Sequence, residues 1–290
     1  MANNRSKRHL KYGTSQLLNV TRDSYLERTS RPLYAIVFLW PFIVFYEVGT
    51  FLINTDVLNR SQVRVVAFVW LQEWLGYVGF TGKLAWMAPP LVVILILLGL
   101  QLASGKQWYV QLGDLVPMAV ECILMATPLI VLSLFINSPV PSSVGDVNRL
   151  AATFCQVHLG GLGGHVPLLA SMITGIGAGI YEELVFRLIL ICVLMMFFQD
   201  LLGVSHKNAI ILSVLISAAL FSAHHHIVFV EGHLAQSSQF TWTAFTFRTM
   251  AGIYFAVLFA VRGFGITAGT HAFYDIMATL LNAVFFHANT

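Results

Sequence analysis

The chain has 290 residues, of which 57% are hydrophobic and only 10% charged, with a formal net charge of +3 and a mean hydropathy of +0.77. Soluble domains carry about 25% charged residues, so the composition excludes an ordinary soluble enzyme and requires an integral membrane protein. Lipid tolerates only helices or closed barrels, because each backbone polar group must be satisfied internally. The apolar runs are too long for barrel strands, so the fold class is all-α: a polytopic transmembrane helical bundle.

Residues 1–32 read as a basic N-terminal tail. They hold seven of the sixteen Lys and Arg residues, namely Arg5, Lys7, Arg8, Lys11, Arg22, Arg28 and Arg31, opposed only by Asp23 and Glu27. In front of a membrane span such charge sets topology and meets anionic headgroups rather than nucleic acid. The positive-inside rule then places the tail in the cytoplasm. No cleavable signal peptide is expected, because the first apolar segment is too long and starts too late.

Residues 33–164 are expected to hold N-terminal transmembrane helices and a connector. Apolar runs of about 20 residues mark the spans: Leu33–Ile53, Leu84–Leu102 and Leu115–Ile136. Ser61–Phe80 is interrupted by Arg64, Gln72 and Glu73 and suits an interfacial helix. The connector, Pro139 to Gly164, contains Pro-Val-Pro and Gly160-Gly-Leu-Gly-Gly164. It has no preceding strand and no phosphate-loop spacing, so it reads as a flexible linker. Cys122, Cys155 and Cys192 are far apart and suggest packing residues rather than a disulfide or metal framework.

Residues 165–290 form the second unit, with expected helices Pro167–Phe198, Asn208–Ala223, Ala244–Val261 and Gly265–Phe286. A polar loop leads from the second of these through Trp242. The total is seven or eight spans. No transporter-type repeat is visible.

Charge inside this apolar half is concentrated in Tyr181-Glu-Glu-Leu-Val-Phe-Arg187. Ionisable groups at membrane depth cost about 2.5–3.5 kcal/mol each on insertion scales, so they are paired, hydrated or both. At about 100° per residue, Ser171, Gly175, Ala178 and Glu182 share one narrow helical face. Gly175 and Gly179 also form GxxxG, a close-packing motif. Glu182 is therefore expected to face a helix or cavity. Glu183 is rotated away and stands four residues before Arg187, in the favourable order for an ion pair. A buried ion-pair network of all three is the bland alternative.

Two further helices carry polar stripes. One ends in His224-His-His226, with His225 on the face of Ala218 and Phe221; an interfacial cluster is the competing reading. The last carries Thr267, Ala268, His271, Asp275, Ala278 and Asn282 on one face. His271 and Asp275, at i and i+4, suit either a structural pair or a site. A carboxylate and a neutral imidazole that share a water can remove its proton.

The order Glu182-Glu183-xxx-Arg187, Phe221-xxx-His225, His271-xxx-Asp275 resembles the three-motif signature of the CPBP family, which includes the type II CAAX prenyl endopeptidases and bacterial proteins associated with bacteriocin processing and abortive infection. The resemblance implies an eight-helix intramembrane glutamate protease acting on a peptide or protein substrate at the membrane, with no metal cofactor. It implies that Glu182 and His225 activate water, that His271 and Asp275 serve the oxyanion, and that Glu183 and Arg187 support the first Glu. Phe221 either shapes the site or is a core aromatic. His224 is the alternative to His225 after a one-residue slip.

Asp275 stands where the eukaryotic members tend to have Asn. An ionised Asp cannot donate to an oxyanion, so its expected role is to orient His271. Two other readings stay open: a zinc protease using Glu182, His225 and His271, and a non-catalytic transporter or scaffold. The family's bacterial branch implies a bacterial plasma (inner) membrane; oligomeric state is not legible in the chain.

Overall fold

Long apolar segments have no backbone partner in lipid except their own helix, and that rule governs most of this chain. The computed structural model describes residues 23–56, 65–80, 83–137, 168–230, 233–236 and 240–286. Most of the basic tail, the connector and Cys155 lie outside them. The helices are α1 (Tyr25–Thr29), α2 (Pro32–Asp56), α3 (Val66–Tyr77), α4 (Lys83–Ser104) and α5 (Leu115–Asn137). Then come α6 (Leu168–Leu201), α7 (His206–His224) and the final helical stretch Trp242–Phe286.

That stretch breaks at Gly263, where φ is 77° and ψ 179°, giving α8 (242–262) and α9 (264–286). Glycine is required there twice over: the positive φ disfavours any side chain, and a Cβ would stand 3.0 Å from the Ser30 carbonyl oxygen. Among the described residues, six helices are long and apolar enough to cross a membrane. The last of them, 43 residues, would extend roughly 65 Å if straight, so the break makes it two crossings. The chain is thus a helical membrane bundle.

The segment between Leu33–Ile53 and Leu84–Leu102 differs in kind. α3 has 12 residues, too few to span about 30 Å of hydrocarbon. It buries Ala67, Phe68 and Leu71 while Trp74 and Tyr77 remain exposed. The expected polar loop after α7 contains a short antiparallel hairpin, β1 (Ile227–Val230) with β2 (His233–Gln236), paired Ile227↔Gln236 through Val230↔His233. Its first strand, Ile227-Val-Phe-Val230, is a short β-branched and aromatic run ahead of Glu231-Gly232, a hairpin signal set inside the stretch expected to be a loop.

α6 is the centre of the bundle, held by small residues on two faces. A Cβ at Gly175 would lie 2.6 Å from the Asp275 Cβ, and one at Gly179 2.6 Å from the Ala272 amide nitrogen. The GxxxG face therefore meets α9 at backbone contact. On the other side Gly177 receives the Tyr46 ring of α2, and Ile173 fills the space above Gly49. Behind the site, α5, α8 and α9 share a core of Ala126, Leu129, Phe247, Phe255 and Ala278.

The middle of α6 widens. Leu184–Leu190 is π-helical, directly after the two glutamates, and Ser217 of α7 donates to the Phe186 carbonyl in that turn (2.7 Å). Such wide turns alter which side chains share a face. Here the turn carries Arg187 into the bundle, where it is fully buried.

Candidate active site

Three helices deliver the site. α6 supplies Glu182, Glu183 and Arg187, the end of α7 supplies His224 and His225, and α9 supplies His271 and Asp275. Glu182 is 5% exposed. Its carboxylate oxygens stand 3.4 Å from His224 Nε2, 3.9 Å from His225 Nε2 and 4.0 Å from His271 Nε2. One acid thus faces imidazoles on two other helices, and its Oε2 is buried without a hydrogen bond.

Glu183 has a different environment. Its Oε1 accepts from His271 Nδ1 at 2.7 Å and lies 3.1 Å from Arg187 Nη1. The Arg187 contact is close without hydrogen-bond alignment, since Nη1 makes no hydrogen bond. The guanidinium gains further support from the Phe221 ring, 4.1 Å away, and from donation to the Gly252 carbonyl (3.4 Å). A cation over an aromatic face is attracted by the ring quadrupole, so Phe221 holds the charge that neutralises Glu183.

His271 is placed by two contacts: stacking on Phe255 (4.6 Å between centroids, 17° between planes) and the bond to Glu183. Asp275 Oδ2 stands 3.6 Å from the other ring nitrogen, Nε2, beyond a hydrogen bond. Glu183 thus supplies the hydrogen bond to the ring, while Asp275 faces the opposite nitrogen at ion-pair distance. The cause is α6–α9 proximity through Gly175 and Gly179, which brings Glu183 to the far side of the ring.

The histidine triplet also differs from its helical reading. α7 ends at His224 and His225 is its C-cap, so the two rings converge, 4.0 Å between centroids, rather than diverging by a helical step. His224 is the nearer to Glu182. Its ring is walled by Phe186 (4.8 Å) and by Trp70 of α3 (5.8 Å). His226 turns away, its Nε2 accepting from Arg248 at 3.3 Å.

Arg248 of α8 was not singled out by the motif reading. It is 6% exposed and within electrostatic reach of Glu182 and Asp275. As a cation within an apolar helix it carried the same signal as the glutamates. The ligand atoms that converge within 4.8 Å are those of Glu182, His224 and His225, so among the described residues the zinc set expected with His271 is replaced by one with His224. The site opens at His225 and Asp275, whose side chains are 27% and 21% exposed.

Residues 164–277 match the family model Type II CAAX prenyl endopeptidase Rce1-like. The segment belongs to that family. The Rce1-like segment takes in every motif residue from Glu182 to Asp275, and its family comprises membrane proteases of the CAAX type. No curated protein and no solved structure matches the chain.

Proposed function

We propose that residues 165–290 form the catalytic core of an intramembrane endopeptidase in which Glu182 and His225 activate water. The observation that carries this reading is the buried, unbonded oxygen of Glu182 facing imidazoles beside an opening. Nδ1 of His225 lies 2.9 Å from the Phe221 carbonyl, which can only accept. Its Nε2 therefore presents a lone pair toward Glu182 when the ring is neutral. A water entering past His225 and Asp275 donates one hydrogen bond to Glu182 and the other to His225 Nε2.

As the water oxygen bonds to the scissile carbonyl carbon, its proton passes to Glu182. The carbon–nitrogen bond then breaks and Glu182 returns that proton to the leaving amine. General base catalysis of this kind contributes about 10²–10⁴-fold. The carbonyl oxygen gains negative charge and needs a donor. His271 donates from Nε2 in its doubly protonated form, its Nδ1 already being committed to Glu183. Glu183, Arg187 and Phe221 hold that ring, and Asp275 lines the opening.

The substrate is a peptide or membrane protein presented at the bilayer. A bacterial plasma membrane, suggested by the resemblance to the family's bacterial branch, and a cytoplasmic N-terminus, suggested by the basic tail, complete the reading. The test compares protein and peptide termini in membranes of cells carrying the wild-type chain or Glu182→Gln. New termini that depend on Glu182 are expected; identical termini in the two membranes overturn the proposal and favour a transporter or scaffold.

A further inference from the structure

The two α7 imidazoles are set up alike. Nδ1 of His224 lies 2.6 Å, and Nδ1 of His225 2.9 Å, from the same Phe221 carbonyl oxygen. Because a carbonyl only accepts, both Nδ1 atoms carry hydrogen, and both Nε2 atoms of the neutral rings present lone pairs. These point toward a carboxylate whose Oε2 is buried and unbonded. Three electron-pair donors meet there, within 4.8 Å of one another.

A tetrahedral ion of the zinc class holds nitrogen and oxygen ligands at about 2.0–2.2 Å, which spaces them roughly 3.3 Å apart. The Glu182–His224 edge, 3.4 Å, already has that span. That edge is to Oε1, whereas His225 Nε2 stands 3.9 Å from the other oxygen, Oε2, so a shared ion needs a small rotation of the carboxylate and a closure of about half an ångström. A backbone carbonyl behind each imidazole is the outer-shell arrangement that fixes metal-binding histidines. Two nitrogen ligands favour zinc-class ions over calcium or magnesium, which take oxygen. Phe186 and Trp70 close the His224 side, while His225 leaves a way in.

We infer that Glu182, His224 and His225 form a binding site for a zinc-class divalent cation whose occupancy switches the hydrolytic site off. This rests on the reading of Glu182 as the base. A bound cation takes the oxygen that would accept the proton of water. Among the described residues no spare carboxylate replaces it: Glu183 is committed to Arg187 and His271, and Asp275 faces His271.

The test uses the full chain in detergent micelles, washed with chelator and titrated with Co²⁺. The expected result is the visible absorption of a tetrahedral site with a one-to-one end point, discharged by Zn²⁺. His224→Gln, His225→Ala and Glu182→Gln should each weaken Co²⁺ binding at least tenfold, whereas His206→Ala on the exposed start of α7 should not. An absent spectrum in the wild type, or one that survives His224→Gln and His225→Ala, overturns the site. In membranes, Glu182-dependent cleavage should persist after chelation and fall at least tenfold on adding Zn²⁺. Cleavage abolished by chelator and restored by Zn²⁺ makes the ion the catalyst and overturns the inhibitory role. Co²⁺ binding with no cleavage, with or without chelator, overturns the hydrolytic reading but not the metal site.

Discussion

Glu182 and Glu183 are chemically identical neighbours, and their surroundings divide the work between them. Glu183 accepts from His271 at 2.7 Å and faces Arg187 at 3.1 Å, whereas Glu182 has only imidazoles at 3.4–4.0 Å. Glu183→Gln weakens a charge-assisted bond of about 1.5–3 kcal/mol and leaves Arg187 buried without its anion. We expect a loss of about 10–100-fold in cleavage rate, accompanied by a lower thermal midpoint. Asp275→Asn removes no hydrogen bond to His271 and is expected to keep cleavage within about tenfold of wild type; complete loss would return the ring-orienting role to Asp275. The stripes carrying Glu182, His225, His271 and Asp275 were legible because each is a local helical pattern. The place of His224 was not, since it depends on where α7 ends. Nor was the Glu183–His271 bond, because spacing within one helix does not say what the next helix presents. Arg248 was readable on the rule applied to the glutamates.

At the scale of elements, the site exists because α6 and α9 touch. A methyl group at Gly179 would meet backbone atoms of Ala272 and Ala268 at 2.6–2.7 Å, and backbone cannot rotate away. Gly179→Ala is therefore expected to destabilise the bundle by about 1–3 kcal/mol, the usual range for overpacking. Gly99→Ala on α4 meets nothing within 4 Å and should be neutral or stabilising by up to about 1 kcal/mol, the helix-propensity gain. Thermal unfolding in micelles separates the two, and equal effects would remove the close crossing from the explanation. Gly175→Ala would press on the Asp275 Cβ at 2.6 Å, so its effect should show in cleavage as well as stability. The crossing was visible in the sequence as GxxxG beside a polar stripe. The spans were visible as apolar runs, including the division near Gly263. The π-helical turn that carries Arg187 inward was not: its cause lies in tertiary packing, and composition there is ordinary for a membrane helix. The hairpin, by contrast, was readable in Ile227-Val-Phe-Val230 ahead of Glu231-Gly232, a short run of strand-forming residues that the polar surroundings masked.

At the scale of the molecule, the position of α9 depends on a polar clamp at the far end of the bundle. Arg262, immediately before the break, forms an ion pair with Glu121 of α5. It also donates to the Leu26 carbonyl and to the Thr29 hydroxyl of α1. Tyr25 of α1 donates to the same Glu121, so α1 is locked onto the corner from which α9 starts. The other side of α1 is tied by Glu27, which meets Arg31 and, at 3.0 Å, Lys106. Burial alone would raise the Glu27 carboxyl, but hydrogen bonds from Arg31 and Lys106 outweigh it and hold the group at about 2, below its ordinary 4.5. A carboxylate depressed in the folded state contributes stability that is fully present above its unfolded value and is lost as pH falls through the folded one. The window for this group therefore runs from about pH 4.5 down to about pH 2. Glu27→Gln should lower the thermal midpoint at neutral pH, and the gap from wild type should close across that window. A gap that stays constant to about pH 2 would mean that the substitution acts through packing. Because α1 contacts the α8–α9 corner rather than the site, the same variant should leave the Glu182-dependent cleavage pattern intact at neutral pH while making it more sensitive to heat.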